Sequence, residues 1–248
     1  MSALLRTLVV LPIGLLSTGL HAVAATVVGR LDPTSPWVQR IMESWARSWI
    51  RLTGIDLRIY GGEHIDPDRS YVVVANHLSN LDVMVCIAAI PLPIRFLAKQ
   101  ELFRFPVLSQ AMRAVGIVQV DRGGRMAAIA SVNQQSKTVI ERGHSLIIYP
   151  EGTRSRSGEP QPFKKGAFMM AAAAGMPILP VTIAGTREIW PPTGLFRRGG
   201  PVVVEIAPPI ETAGLSRTDT ERLRRSTEAE MADRFRQRRD EVGRLRQS

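Results

Sequence analysis

A histidine and an aspartate five residues apart, in Asn76-His77-Leu78-Ser79-Asn80-Leu81-Asp82, are the pair in this sequence best suited to proton transfer. They follow the apolar run Tyr71-Val72-Val73-Val74-Ala75, so the pair opens where a buried strand should end. In one continuous helix a five-residue step would point the two side chains roughly 140° apart. His77 is therefore expected in a loop, with Ser79 or Asn80 capping a helix over 81–87 and Asp82 in its first turn. If the loop folds back, the carboxylate holds one imidazole tautomer and stabilises the imidazolium, while the other ring nitrogen takes a proton from a hydroxyl. Without chemistry, the same residues are an exposed loop histidine and a carboxylate complementing a helix dipole.

Further strand ends carry residues suited to anions. Gly116-Ile117-Val118-Gln119-Val120-Asp121-Arg122 delivers Arg122 at the far end of a strand, where a guanidinium can fork onto a phosphate or simply sit in a surface turn. In Tyr149-Pro150-Glu151-Gly152-Thr153-Arg154-Ser155-Arg156-Ser157-Gly158, Gly152 permits close backbone approach, Thr153 and Ser155 can donate hydrogen bonds, and Arg154 supplies a charged fork. Glu151 opposes an anion unless it pairs with Arg154 or accepts a hydroxyl, and a solvated turn is the plain alternative. In Phe163-Lys164-Lys165-Gly166-Ala167-Phe168, Lys164 and Lys165 precede a small-residue helix whose N-terminus suits a phosphate. The other lysines are only Lys99 and Lys137, so this pair stands out in an arginine-dominated chain.

Positioning these groups requires a sheet. β-rich runs occur at 57–60, 71–75, 94–98, 117–121, 145–149, 178–183 and 202–206, separated by helix-like stretches near 81–90, 107–114, 125–141 and 166–174. The alternation predicts an α/β fold with a mixed, mostly parallel sheet covered by helices. Its central strands read as continuously apolar, as strands covered on both faces should, which makes their ends the site loops.

With 248 residues and 45% hydrophobic content, and no internal repeat, the chain can bury one sizeable core. A net charge of +10 suits an anionic partner: nucleic acid, an acidic membrane surface or a phosphorylated substrate. The single Cys86 excludes an intrachain disulfide and reads as a small core hydrophobe. Residues 7–29 contain no Asp, Glu, Lys or Arg and are long enough to cross a bilayer. An N-terminal membrane anchor is the first reading; a cleavage site at Ala22-Val23-Ala24 and a re-entrant hairpin broken at Pro12 compete with it. Arg30, Arg40, Arg47 and Arg51 follow the span and only Arg6 precedes it, which places the main domain on the cytoplasmic side of the cell inner membrane. Trp37, Ile41, Trp45 and Trp49 then recur every four residues, as in a helix lying in the headgroup layer or one packed on the core. Residues 215–248 read as a solvated charged helix with one packed edge.

In this order, Asn-His-x4-Asp, Gly-Ile-x3-Asp-Arg, Pro-Glu-Gly-Thr-Arg-Ser-Arg-Ser-Gly, Phe-Lys-Lys-Gly-Ala-Phe and Met-Pro-Ile-Leu-Pro-Val resemble the glycerolipid acyltransferase family, typified by 1-acyl-sn-glycerol-3-phosphate acyltransferases. The resemblance covers roughly residues 70 to 185. Together with the readings above, this divides the chain into a membrane anchor over 1–30, an amphipathic interfacial helix over 31–53, an acyltransferase domain over 54–212 and a charged helix over 213–248. The resemblance implies acyl transfer from acyl-CoA or acyl-carrier protein to a lysophospholipid, giving phosphatidic acid when the acceptor is lysophosphatidate. His77 would be the base and Asp82 its orienting partner, while Arg122, Glu151, Gly152, Thr153 and Arg154 would bind the acceptor's glycerol phosphate; Lys164 and Lys165 join these as binding candidates from the reading above. No metal or cofactor beyond the thioester co-substrate is expected. Another lysophospholipid or lyso-aminolipid acceptor is the alternative within the class. A basic membrane-tethered lipid or nucleic-acid binder is the alternative outside it, although its aromatic pattern is poor for bases. An acyl-chain groove is expected near 83–89 or 168–174.

Overall fold

The computed structural model describes residues 2–32, 34–120 and 126–247. Seven strands form one sheet: β1 (Ile55–Tyr60), β2 (Val72–Ala75), β3 (Ile94–Lys99), β4 (Val118–Val120), β5 (Ser145–Ile148), β6 (Ile178–Ala184) and β7 (Gly200–Ile206). Their order is β1-β7-β6-β2-β5-β3-β4, and among the described residues β6–β7 is the one antiparallel strand pair. This is the mixed, mostly parallel sheet that the alternation of strands and helices predicts.

The strand order makes the site. After β2 the chain crosses to β3 and β4, returns to place β5 beside β2, and then crosses β2 to place β6 on its other side. The C-terminal ends of β6, β2 and β5 are therefore neighbours although they are far apart in sequence. A crossover reversal of this kind opens a crevice at the strand ends, where α/β proteins bind ligands.

Side-chain alternation builds two cores. Val73 and Ala75 of β2 face a layer of helices: α1 (Ala3–Leu31), α2 (Pro36–Thr53), α3 (Asp82–Ala89) and α4 (Pro106–Val115). Val72 and Val74 face the other layer, with α5 (Met126–Glu141), α6 (Gly166–Ala174) and α8 (Arg217–Gln247). Between α6 and α8 in the chain, the single turn α7 (Thr186–Ile189) follows β6. Local signals set the ends of α2 and α4: each begins with a proline in its first turn and stops at a left-handed glycine, Gly54 or Gly116. Helix α8 packs through Thr220, Thr227, Met231, Phe235 and Val242, and Glu205 of β7 accepts from Arg234 and, at 2.7 Å, from Arg238, fastening its charged side to the sheet.

The N-terminal segment is a continuous 29-residue helix through Pro12, so the re-entrant break does not occur. It lies along the domain from end to end. Arg6 donates to the Thr53 carbonyl at 2.6 Å, Thr18 Oγ1 accepts from the indole N–H groups of Trp45 and Trp49, and Arg30 reaches Gln110. Its outer face is an unbroken apolar strip that includes Leu4, Leu8, Leu16, Leu20, Val23 and Val27. The tryptophan stripe of α2 differs from the headgroup-facing expectation. Trp49 is buried against Trp190 and Phe196, and Trp45 is half-buried against α1; only Trp37 is exposed. The stripe points inward because α1 supplies a second apolar surface for it to cover.

An apolar cavity of about 80 Å³ lies between α1, α2 and α4, lined by Ala22, Ala25, Met42, Trp45, Ala111 and Met112 among others. It involves neither 83–89 nor 168–174, the stretches expected to form a groove. There Val85, Cys86, Ile87, Phe168 and Ala171 are already buried in the two cores.

Candidate active site

His77 lies in the loop that follows the end of β2, and Asp82 is the first residue of α3. The loop folds back as expected, bringing His77 Nδ1 within 2.8 Å of Asp82 Oδ2. The same oxygen accepts the backbone N–H groups of Leu78 at 2.7 Å and Ser79 at 2.8 Å. Asp82 thus caps its own loop. Ser79 does not cap α3 as expected: its hydroxyl accepts from the Leu81 N–H and donates to the Trp190 carbonyl. With a fully buried carboxylate at Nδ1, the proton of neutral His77 belongs on Nδ1, and Nε2 carries the free lone pair.

Three contacts hold His77 further, one at its ring and two at its backbone. Tyr149, the residue after β5, stacks on it at 4.0 Å between ring centroids with planes 16° apart. The His77 N–H donates to Glu151 Oε1 at 2.7 Å, and its carbonyl accepts from the Ser155 N–H at 2.8 Å. Beside it, Asn76 closes a two-way bond with Ile183 of β6, its amide donating to the carbonyl at 2.9 Å and accepting from the N–H at 2.7 Å. Asn76 was visible in the sequence as part of the motif but received no role there; it ties two strand ends whose adjacency only the fold creates.

Glu151 differs from the expected ligand. It is 3% exposed, and its second oxygen accepts the Gln161 N–H at 2.9 Å. Both oxygens hold backbone, so it shapes the loop instead of pairing with Arg154 or presenting itself to a hydroxyl. Burial pushes its carboxyl up to about 7, against the pull of the two N–H donors. Gly152 sits at φ 77°, in the left-handed region that favours glycine, and the Lys164 side chain packs over it, its Nζ 2.6 Å from where a Cβ would stand. The ammonium therefore sits directly over the glycine, and the Lys164 N–H binds the Pro150 carbonyl at 2.9 Å.

Thr153 is exposed, Arg154 half-buried, and Lys164 and Lys165 exposed at the start of α6. No ion pair occupies Arg154, Lys164 or Lys165 among the described residues. Arg122 lies outside the described residues, as does Asp121. Cys86 is fully buried, and that burial pushes its thiol up to about 12, in keeping with a packing role. Thr186 and Arg187 of α7 also reach the site; sequence reading missed them, and nothing in their local pattern announces it. Chemically, the arrangement is an imidazole held by a buried carboxylate and a stacked tyrosine, beside a cationic loop and two lysines, a geometry that can take a proton at Nε2.

Residues 56–184 match the sequence model of the Acyltransferase family. The chain belongs to that family. Among similar members, a 1-acyl-sn-glycerol-3-phosphate acyltransferase of Limnanthes douglasii is 36% identical over 164 residues, covering 66% of this chain and 57% of that protein. Another, of Borreliella burgdorferi, is 34% identical over 173 residues, covering 69% of this chain and 68% of that one. This acyltransferase also resembles the crystal structure of the 1-acyl-sn-glycerophosphate acyltransferase PlsC from Thermotoga maritima. The TM-score is 0.74 and the identity 25%, with 95% of this chain and 97% of that chain covered.

Proposed function

We propose that this acyltransferase moves a fatty acyl group from acyl-CoA or acyl-carrier protein to the sn-2 hydroxyl of a 1-acyl-glycerol-3-phosphate, giving phosphatidic acid. The observation that carries the reading is the 2.8 Å contact between His77 Nδ1 and the buried Asp82 carboxylate, beside a loop whose cations have no counter-ion among the described residues. His77 Nε2 takes the proton of the acceptor hydroxyl as its oxygen attacks the thioester carbonyl, and Asp82 stabilises the imidazolium so formed. Collapse of the tetrahedral adduct expels the thiolate, which recovers the proton from His77. Thioesters are already activated, so we propose direct transfer with no metal and no covalent acyl-enzyme.

Arg154, Lys164 and Lys165 are the proposed phosphate partners, with the Gly152–Thr153 backbone beside them and Arg122 as a further candidate. The names of the relatives support lysophosphatidate as the acceptor. The cavity between α1, α2 and α4 is the proposed seat for part of an acyl chain, since it is apolar and opens beneath the helix we assign to lipid. Because α1 lies flat along the domain, we propose that its outer leucine strip sits in the cytoplasmic leaflet of the inner membrane, with the sheet above it in the cytoplasm.

The test is turnover by purified full-length protein in mixed micelles, with acyl-CoA or acyl-carrier protein and a panel of lysolipids. We expect lysophosphatidate to be preferred and His77→Ala to keep its fold while losing turnover. Full turnover by that variant defeats the base assignment. Activity on other lysolipids but not lysophosphatidate defeats the acceptor.

A further inference from the structure

The turn after β6 grips both halves of the site from behind. Gly185 (φ 99°) ends the strand in the left-handed region, and a Cβ there would meet the Pro201 carbonyl oxygen at 2.4 Å. Only glycine lets the chain turn this close to β7. Thr186 follows, fully buried, and its hydroxyl donates to Asp82 Oδ1 at 2.7 Å. That oxygen has no other hydrogen-bond partner among the described residues, whereas Oδ2 accepts three. Donors on one oxygen alone leave the carboxylate free to swing about it. A fourth donor on the other oxygen fixes the plane in which Oδ2 meets the imidazole.

Arg187 works on the other half. Its guanidinium donates to the Ser155 carbonyl at 3.2 Å and the Arg156 carbonyl at 2.7 Å, and it lies against Gly158, where a Cβ would sit 2.9 Å from Nε. These carbonyls belong to the loop that carries Arg154. Two adjacent residues thus hold two different parts of the site, each through bonds that span 31 to 104 positions of sequence.

We propose that Thr186 and Arg187 are positioning residues with separable kinetic effects. Thr186 fixes Asp82 and so sets kcat, whereas Arg187 fixes the cationic loop and so sets KM for the phosphate-bearing acceptor. This rests on the acyl-transfer reading given above.

The experiment measures kcat and acceptor KM for the full chain in mixed micelles. Thr186→Val keeps the shape without the hydroxyl. Losing a hydrogen bond to a buried charge should lower kcat about 10- to 100-fold with acceptor KM within about twofold, and Thr186→Ser should restore the rate. In an Asp82→Asn background, Thr186→Val should add little further loss, because the pair acts as one unit. Arg187→Met should raise acceptor KM about tenfold and leave kcat nearly unchanged. Should Thr186→Val lose its fold by circular dichroism, Thr186→Ala takes its place in the same comparison with Thr186→Ser.

Wild-type kcat in the hydroxyl-free variant, no rescue by serine, or a kcat loss without a KM change in Arg187→Met each overturns the proposal. If wild-type protein acylates no lysolipid, the acyl-transfer reading has failed; if wild type is active and His77→Ala inactive while Thr186→Val is unimpaired, only this inference has.

Discussion

Replacing Asp82 with asparagine separates the charge of the His77 pair from its geometry. The carboxylate accepts at Oδ2 from His77 Nδ1, Leu78 N and Ser79 N, and at Oδ1 from the Thr186 hydroxyl. An asparagine whose carbonyl occupies the Oδ2 position keeps the first three bonds, and its amide can donate to the Thr186 hydroxyl, which rotates to accept. The opposite flip would set an NH2 group against three donors and is disfavoured. The loop and the imidazole tautomer therefore survive, and what disappears is the negative charge beside the imidazolium that forms during transfer. With charge centres about 4 Å apart and an effective dielectric near 20, that charge is worth about 4 kcal/mol, or about a thousandfold in kcat. Thiol release from acyl-CoA follows the reaction in mixed micelles, with product confirmed by chromatography and fold by circular dichroism. A folded Asp82→Asn variant with kcat within about tenfold of wild type refutes the electrostatic role. A variant that unfolds shows instead that the carboxylate is needed for the loop itself.

Glu151→Gln can accept only one of the two backbone N–H groups that Glu151 now holds, so it should lower stability by about 1–3 kcal/mol and loosen the His77 loop, read by denaturant unfolding and by kcat. Burial raises the folded-state value of Glu151 from about 4.5 to about 7. Between those values only the folded protein keeps this proton, so its contribution is fully present below pH 4.5 and is lost as pH rises through 7, by about 3 kcal/mol. Unfolding curves across this range should show the decline in wild type, and a slope unchanged in Glu151→Gln would contradict it. Cys86 is fully buried with its thiol pushed up to about 12, so native protein should resist alkylation at pH 8 and keep full activity after maleimide treatment, checked by intact mass. Leu16 and Leu20 are exposed on α1 by 65% and 64%; Leu16→Glu with Leu20→Glu should abolish sedimentation with phosphatidylglycerol vesicles while leaving the melting temperature nearly unchanged. Retained vesicle binding by that double variant would remove α1 from the membrane.

Much of the molecule was legible because its signals are local. The seven strands appear in sequence as short runs of β-branched residues, and α3 to α6 as the stretches between them, since periodicity and glycine stops act within a few residues. The His77–Asp82 contact was legible for the same reason: five residues of loop leave few ways for the two side chains to avoid each other. The inward turn of the tryptophan stripe was not, because a stripe that can face lipid is equally suited to face another helix. The hold of Glu151 on the His77 loop was not legible, because its partners, the N–H groups of His77 and Gln161, carry no side-chain signature.

By itself, then, the sequence determined the α/β class, the elements, the motif blocks that mark the acyltransferase family and the pairing of His77 with Asp82. Only the tertiary structure decided which strand ends became neighbours. Setting β6 and β5 on either side of β2 brought Thr186, Asn76 and Glu151 around His77, which lies 74 to 109 positions away from two of them and next to the third. Such pairings follow from strand order and burial summed over the whole chain. A buried carboxylate must find its donors wherever the fold has put them.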